Sequence, residues 1–352
     1  MTNRDQPQLI ALDWGTSCCR AYLMGEGGVV LSERQDPSGI MAVTAHASAS
    51  GTPFELAFEQ IFEKLCGEWL ESDPEVPVIA CGMVGSNHGW AEAEYRPVPA
   101  DLSAPGIALT QVRTTAGVTV HIIPGLIAET ALPDVMRGEE TQILGALNKS
   151  LRTGTLDYSA ERIVLLPGTH SKWVRVVGTT VTDFTTYMTG EIYALLTTDS
   201  TLSLLATRAD RPDWAAFDRG LDIAISRTGV GGILNTAFSA RTLVMTGQLA
   251  PDQVEDYVSG LLIGHELMGI GASWLGDEPH TILLCGNTHL NDRYRRGLVR
   301  RGLQVTLAPA LSAPAGMWQV AEAAGLIFAP AGDQPDRDNE VEAEGPDSEH
   351  SS

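Results

Sequence analysis

A carboxylate, a glycine and two hydroxyl side chains stand together near the start of the chain. Asp13 lies near the end of an apolar run. Gly15, Thr16 and Ser17 follow that run, and Arg20 comes three residues after Ser17. An apolar run that stops at Gly-Thr-Ser predicts a buried strand and then a turn. The turn's N–H groups can bind phosphate oxygens, the aspartate can hold Mg²⁺ through water, and the arginine can pair with a phosphoryl oxygen. Taken alone, the pattern slightly favours an ordinary hairpin with an aspartate in its turn.

A second turn of similar composition follows another apolar run, about 150 residues further on. It consists of Gly168, Thr169, His170, Ser171 and Lys172. Two donor-rich turns can hold one polyphosphate from opposite sides. The chain has only three lysines, so an ammonium group at this turn is a candidate phosphate ligand. For His170 two interpretations stay open: a direct ligand of the phosphate, or an ordinary histidine of the core or the surface.

Two acidic residues stand at a predicted helix start. Glu139 and Glu140 follow Gly138. Carboxylates are favoured at a helix N-terminus, so helix capping alone accounts for them. Beside two phosphate turns, one of them is a candidate general base that accepts the proton of a substrate hydroxyl.

The elements that must position these groups form two matched halves. Gly15 precedes the turn glycine Gly25 by ten residues, and Gly168 precedes Gly178 by the same number. Each half has the order strand, Gly-Thr turn, strand and glycine turn, which predicts two similar domains that each open with a hairpin. Apolar spacing further predicts helices over 54–70, 187–206, 254–275 and 318–328.

Composition restricts the class of protein. The chain has 352 residues, 43% of them hydrophobic, with a formal net charge of −21, and about 150 residues per domain predicts two domains. So acidic a surface repels nucleic acids, whereas a small anion can still bind beside local cations. Five cysteines without a C-x-x-C pair, and no apolar leader, predict a cytoplasmic protein with reduced thiols. The longest apolar-rich stretch, 258–276, includes His265 and Glu266 and is predicted to be a core helix, not a membrane span.

Four segments resemble one enzyme family. CGMVGSNHGWAEAEY (81–95), MRGEETQILGAL (136–147), LPGTHSKWV (166–174) and MTGEIYALL (188–196) are similar to 2-dehydro-3-deoxygalactonokinases, within the actin-like ATPase and sugar kinase superfamily. The resemblance runs from about Leu9 to Phe328. It implies an α/β protein of two similar ribonuclease H-like (actin-like ATPase) domains with a central cleft.

The resemblance also implies a division of the chain. Residues 1–148 would form the N-terminal domain, with the first turn and the sugar-acid site. Residues 149–330 would form the C-terminal domain, with the second turn and the nucleotide-base site. Residues 331–352 are an acidic tail with almost no apolar side chains, which predicts disorder.

The implied activity is an ATP- and Mg²⁺-dependent kinase of galactonate catabolism. It would phosphorylate the terminal hydroxyl of 2-dehydro-3-deoxy-D-galactonate to give the 6-phosphate. Asp13 takes the metal role, and Glu139 falls where related kinases have a catalytic aspartate, with Glu140 as its rival. The ATP-binding residues would be Gly15, Thr16, Ser17, Arg20, Gly168, Thr169, His170, Ser171, Lys172, Gly286 and Asn287.

The sugar acid is expected beside residues 86–95. Its candidate ligands are Ser86, His88, Trp90, Tyr95, Arg96 and Arg137. Arg20, Arg96, Arg137 and Lys172 all remain candidates for the cation that meets the carboxylate. The expected partners are a small sugar acid and ATP, without nucleic acid or membrane, and a homo-oligomer stays open.

The sequence leaves three other functions open. One is a kinase for another sugar or keto-deoxy sugar acid, such as the gluconate-derived epimer. A second is an ATPase of the actin or chaperone type, which needs inserted segments for which the chain has little room. A third is a sugar-binding transcriptional regulator, which the charge and the lack of a helix-turn-helix extension before Leu9 oppose.

Overall fold

Both halves of the chain contain strands and helices. A computed structural model describes residues 6–104, 107–152, 160–226, 229, 231–275 and 280–328. The predicted acidic tail, 331–352, lies outside them. The strands are β1 (Leu9–Trp14), β2 (Cys19–Gly25), β3 (Val29–Asp36), β4 (Val78–Cys81), β5 (Arg96–Pro97), β6 (Ala100–Asp101), β7 (Thr110–Arg113), β8 (Thr119–Ile122), β9 (Leu126–Ala128), β10 (Asp134–Met136), β11 (Glu161–Leu166), β12 (Ser171–Val177), β13 (Thr180–Tyr187), β14 (Thr281–Leu284) and β15 (Gln304–Leu307). The helices are α1 (Ile40–Ser50), α2 (Phe54–Ser72), α3 (Glu139–Arg152), α4 (Thr189–Thr198), α5 (Trp214–Ile225), α6 (Gly232–Thr236), α7 (Ser239–Met245), α8 (Val254–Ile270), α9 (Thr288–Arg300) and α10 (Ser312–Ala323).

Five strands of each large sheet repeat one topology, and only the sixth differs: β7 lies beside β8 in the first sheet, whereas β6 lies beside β13 in the second. The first has the order β3-β2-β1-β4-β8-β7, and the second has the order β15-β14-β11-β12-β13-β6. In the first, β1–β2–β3 is an antiparallel meander and β4 and β8 join it in parallel. In the second, β11–β12–β13 is the meander and β14 and β15 are the parallel strands. The predicted duplication of a ribonuclease H-like α/β unit is therefore confirmed.

The first sheet is covered on both faces, which explains why β1 is apolar along its length. Successive side chains of a strand point to opposite faces. Ile10 and Leu12 pack with Phe58 of α2 on one face. Leu9 and Ala11 pack with α3 and α10 on the other, in a cluster that also includes side chains of the second sheet. A hydrophobic core is thus continuous between the halves.

Each half lends one element to the other. The short strand β6 pairs with β13 at the edge of the second sheet, and α10 packs against α3 and β1. Glycines allow this close helix contact: a Cβ added at Gly145 would lie 1.8 Å from the carbonyl oxygen of Ser312, and one at Gly316 would lie 1.9 Å from that of Thr141. The α3–α10 pair therefore fixes one side of the junction between the halves.

Several predicted boundaries are wrong. The last helix begins at Ser312, well before residue 318, and Gly325 with a φ of 71° follows its end. Tyr187 ends β13, and the helix predicted there is the shorter α4. The stretch 258–276, which was predicted to be a core helix, is largely the buried α8. No helix of the described residues is long and apolar enough to cross a membrane.

Candidate active site between the two halves

A cavity of about 440 Å³ separates the two sheets at the ends of β1 and β11. We call it the main cavity. Residues of both predicted turns line it, together with the start of α3. The lining residues are Asp13, Gly15, Thr16, Gly82, Met83, Tyr95, Val135, Met136, Arg137, Gly138, Glu139, Gln142, Leu166, Pro167, Gly168, Thr169, His170 and Lys172.

The first turn is held by the beginning of α1. The N–H of Ile40 donates to the carbonyl of Gly15 at 3.1 Å. Gly39 lies directly against the turn, because a Cβ there would be 2.3 Å from the carbonyl oxygen of Thr16. A side chain at position 39 would push the turn away from its present position. Ser17, which was predicted with this turn, is exposed and does not line the main cavity.

The second turn is held in the same way by the beginning of α4. The N–H of Glu191 donates to the carbonyl of Thr169 at 2.9 Å. A Cβ at Gly190 would lie 2.3 Å from the carbonyl oxygen of Gly168. The duplicated topology thus supplies the same support to both turns, from the helix that follows the third strand of each meander.

Asp13 stands at the end of β1 and lines two cavities. It pairs with Arg20 of β2, with 3.7 Å between the carboxylate and guanidinium groups. Burial raises the pKa of Asp13, and the charge of Arg20 opposes that rise. The carboxylate is therefore placed where the main cavity meets its neighbour, with a cation at one side.

That neighbour is a second cavity of about 450 Å³, which we call the side cavity. It shares Asp13, Gln142 and Pro167 with the main cavity, and Arg20, Gly286 and Asn287 line it as well. The side chain of Asn287 accepts a hydrogen bond from the N–H of Leu290 and caps α9. Arg20 and the Gly286–Asn287 turn therefore both line the side cavity, next to Pro167, which precedes the second turn.

Glu139 and Glu140 lie in different surroundings. Glu139 lines the main cavity, and one of its oxygens accepts a hydrogen bond from the N–H of Arg137 at 3.0 Å. Burial raises the pKa of Glu139, and the charge of Lys172 opposes this. Glu140 is buried and accepts hydrogen bonds from the N–H of Gly138 at 2.7 Å and the hydroxyl of Thr141 at 2.9 Å. Burial and the charge of Glu139 raise the pKa of Glu140 to about 7.

Two glycines bring the backbone of α3 close to the ends of β1 and β4. Gly82 has a φ of 93° and Gly138 a φ of 102°, a region that favours glycine. A Cβ at Gly138 would lie 2.9 Å from the Cα of Gly82, and one at Gly82 would lie 2.8 Å from the carbonyl oxygen of Trp14. These contacts place Glu139 on the same cavity as Asp13.

Lys172 lines the main cavity and links the two halves of the chain. Its ammonium donates to the carbonyl of Val135 at 2.7 Å and to the hydroxyl of Thr186 at 2.6 Å, and it lies 3.8 Å from the carboxylate of Asp134. Its side chain is almost fully buried. Lys172 therefore brings a positive charge beside Glu139 while it ties β10 to β12.

The other polar members of the second turn point in different directions. His170 lines the main cavity, and its Nε2 lies 2.6 Å from a carboxylate oxygen of Glu191. Ser171 is fully buried, and its hydroxyl hydrogen-bonds the hydroxyl of Tyr294 at 2.6 Å. Ser171 therefore supports the turn from inside and does not line the cavity.

The structure separates the predicted sugar-acid residues into two groups. Tyr95 and Arg137 line the main cavity, whereas Ser86, His88, Trp90 and Arg96 do not. Trp90 belongs to the aromatic core of the first half, stacked on Phe58 with ring centroids 6.0 Å apart.

A tight turn accounts for the position of Trp90 in the core. A Cβ at Gly89 would lie 2.2 Å from the carbonyl oxygen of Val84, so the segment folds back on itself and carries Trp90 inward. Ser86 is buried and His88 is exposed beside it. Arg96 donates to the carbonyl of Asp101 at 2.7 Å.

Sequence reasoning missed other residues of the cavity. Gln142 lines both cavities, and Gly82 and Met83 line the main one. Gln142 lies one turn after Glu139 on α3, so helical spacing could have indicated it. The support from Gly39 and Gly190 is a contact between distant segments, and local pattern gives no signal for it.

Comparisons with known proteins agree on one group of relatives. A family model described as 2-keto-3-deoxy-galactonokinase matches residues 13–320. The 2-dehydro-3-deoxygalactonokinase of Escherichia coli (strain K12) is 34% identical over 317 residues, which cover 89% of this chain and 97% of that protein. A crystal structure described as a "putative 2-dehydro-3-deoxygalactonokinase protein from Sinorhizobium meliloti" is 31% identical, with a TM-score of 0.73, and the match covers 90% of this chain and 98% of that one.

Proposed function

This chain belongs to the 2-keto-3-deoxy-galactonokinase family, and we propose that it transfers the terminal phosphoryl group of ATP to the terminal hydroxyl of 2-dehydro-3-deoxy-D-galactonate. One observation carries the proposal beyond the family: members of both glycine turns, Asp13 and Glu139 line the same cavity. Phosphoryl transfer needs a held polyphosphate and a base beside the acceptor, and this set of residues provides both.

The triphosphate lies between the two turns in this proposal. Backbone N–H groups near Gly15 and Gly168 bind its oxygens. A Cβ at either glycine would contact only one carbonyl oxygen, 3.8 Å away, so a ligand can approach the backbone closely at both turns. The nucleoside extends into the side cavity toward Gly286 and Asn287. Residues 1–148 then provide the first turn and the sugar-acid side, and 149–330 provide the second turn and the base side.

Asp13 is the residue that would hold Mg²⁺. No cluster of three or more His, Cys, Asp or Glu that could hold a metal occurs among the described residues. A single carboxylate nevertheless fits Mg²⁺, which keeps several waters and usually takes one or two carboxylates plus substrate phosphates. When bound, the ion would offset the negative charge of the phosphates.

Glu139 accepts the proton of the acceptor hydroxyl. The hydroxyl oxygen forms a bond to the terminal phosphorus as the bond from that phosphorus to the bridging oxygen of ADP breaks, and the proton passes to the Glu139 carboxylate. The N–H of Arg137 fixes one oxygen of that carboxylate at 3.0 Å, and Glu139 lines the main cavity, where the acceptor hydroxyl lies in this proposal. Lys172 adds positive charge on the same wall, where it favours the phosphoryl group in transit.

A substrate panel tests the proposed activity. Purified protein with ATP and MgCl₂ is given the galactonate-derived and gluconate-derived keto-deoxy acids and neutral hexoses, and ADP release is measured. We expect ADP to rise with the galactonate-derived acid above all others. ADP formation that no sugar acid increases would contradict the proposal and favour an ATPase without a sugar acceptor.

A further inference from the structure

Arg137 is a buried arginine whose charge has no partner in the described part of the chain. Only 6% of the surface of this residue is exposed. One guanidinium nitrogen donates to the carbonyl of Ala93 at 2.7 Å, but Nε and Nη1 are buried without any hydrogen bond. No described carboxylate forms an ion pair with it. A buried, uncompensated cation is costly, so its presence beside a cavity calls for an anion that the described residues do not supply.

The ring of Tyr95 stands next to this cation. The guanidinium carbon of Arg137 lies 4.1 Å from the centroid of the ring. The ring also rests on Gly125, where a Cβ would come within 2.8 Å of the Tyr95 Cε1 atom. Tyr95 and Arg137 both line the main cavity, and the Tyr95 hydroxyl forms no hydrogen bond with a described residue. The two residues therefore form a fixed wall with an available phenol group.

The other candidate cations are engaged elsewhere. Arg20 faces Asp13 and lines the side cavity but not the main one. Arg96 is bonded to a backbone carbonyl and lies off the cavity. Lys172 already donates to two acceptors and has the Asp134 carboxylate at 3.8 Å. Of the four cations that the sequence leaves open, Arg137 is the one that lines the main cavity and whose guanidinium forms no ion pair with a described carboxylate.

We propose that Tyr95 and Arg137 form the subsite for the carboxylate of the sugar acid. This inference rests on the proposed function and names the part of the substrate that the site distinguishes. The Tyr95 hydroxyl donates to the carboxylate, and the guanidinium behind the ring supplies the compensating charge where water is excluded. The backbone N–H of Arg137 also holds the Glu139 carboxylate. Arg137 therefore orients the proposed base toward the terminal hydroxyl of the sugar acid, while its guanidinium supplies charge for the carboxylate at the other end of that substrate.

The test compares two acceptors that differ only at the anionic end. One is the sugar acid, and the other is the 3-deoxyketohexose in which a hydroxymethyl group replaces the carboxylate. The variants are Arg137→Met, which removes the charge at similar length, and Tyr95→Phe, which keeps the ring. We expect each variant to lower kcat/KM for the acid by about tenfold or more, mainly through KM, because Tyr95→Phe loses a charge-assisted hydrogen bond and Arg137→Met loses the compensating charge. With the neutral acceptor the change should stay within threefold, and Arg137→Lys should restore part of the preference.

The control is Arg34→Met. The Arg34 guanidinium also stacks on a ring, 4.5 Å from the centroid of Trp69, but lies off the cavity. This variant should retain the wild-type ratio of the two acceptors. An equal loss for acid and neutral acceptor in Arg137→Met would show a merely structural role and overturn the inference. If Arg137→Met does not fold, an unchanged ratio in Tyr95→Phe overturns it instead. Wild-type protein that accepts no sugar acid would overturn the proposed function itself, which is a separate result.

Discussion

Glu139 and Glu140 are adjacent in the chain, yet the first lines the cavity between the halves and the second is buried behind it. The N–H of Gly138 and the hydroxyl of Thr141 both donate to the Glu140 carboxylate and hold it in its buried position. The structure thereby separates two acids that helix spacing alone could not tell apart. Glu139 becomes the proposed base, and Glu140 becomes part of the support of α3.

Replacement of the two acids by glutamine should therefore give different results. We expect Glu139→Gln to lower kcat by roughly 100-fold or more, since general base catalysis contributes about 10²–10⁴-fold. Glu140→Gln should lower kcat by less than about tenfold, or 1.4 kcal/mol. Steady-state kinetics with the sugar acid measures both, with circular dichroism as the check on folding. A larger loss in Glu140→Gln than in Glu139→Gln would exchange the two roles.

Glu140 should also make stability depend on pH. Its pKa is raised to about 7 in the folded protein, against about 4.3 in an unfolded chain. Between these values the folded state binds more protons than the unfolded state, so stability falls as pH rises through this window. Glu140→Gln removes this effect. The melting temperature of the variant, relative to that of the wild type, should therefore rise as the pH increases from 4.5 to 7. A difference that stays constant across that range would refute the raised pKa of Glu140.

The supports of the two turns should act on nucleotide binding. Gly190→Ala and Gly39→Ala each add a methyl group within 2.3 Å of a turn carbonyl, so the turn must move. We expect the KM for ATP to rise by about tenfold in each, the cost of roughly one lost hydrogen bond. Gly247→Ala is the matched control, because it strains a glycine with a φ of 69° that has open space around it and is not on the cavity. A KM for ATP that rises equally in the control would point to general destabilisation.

Asp13 is expected to govern the response to Mg²⁺. Asp13→Asn keeps the size of the side chain but removes the charge that would hold the ion. Turnover should fall by at least about 100-fold at every Mg²⁺ concentration tested, while the circular dichroism spectrum stays unchanged. Arg20→Gln, which removes the partner of Asp13, should shift the Mg²⁺ dependence much less. Wild-type turnover in Asp13→Asn would remove Asp13 from the mechanism.

Local sequence was enough to predict the parts that depend on local chemistry. The buried strands before Gly15 and Gly168 are apolar on both faces, and their glycine turns mark the chain reversals, so both hairpins were predictable. Trp90 shows the limit. It stands in a motif rich in polar residues, but the close contact of Gly89 with the carbonyl of Val84 turns it into the core.

Contacts between distant segments could not be predicted in this way. Lys172 meets Val135 across the two halves, and Tyr95 meets Arg137 across 42 positions of sequence. The start of α10 was missed for a related reason. Its first turn consists of small residues that pack on α3, and these give no apolar period in the sequence.

The identity of the phosphorylated product tests the proposed function most directly. Protein, ATP, MgCl₂ and 2-dehydro-3-deoxy-D-galactonate are incubated together, and the mixture is followed by ³¹P NMR. We expect one sugar phosphate for each ADP, with its phosphorus coupled to the protons of the terminal carbon. Release of inorganic phosphate in place of a sugar phosphate, or a phosphate on any other carbon, would contradict it.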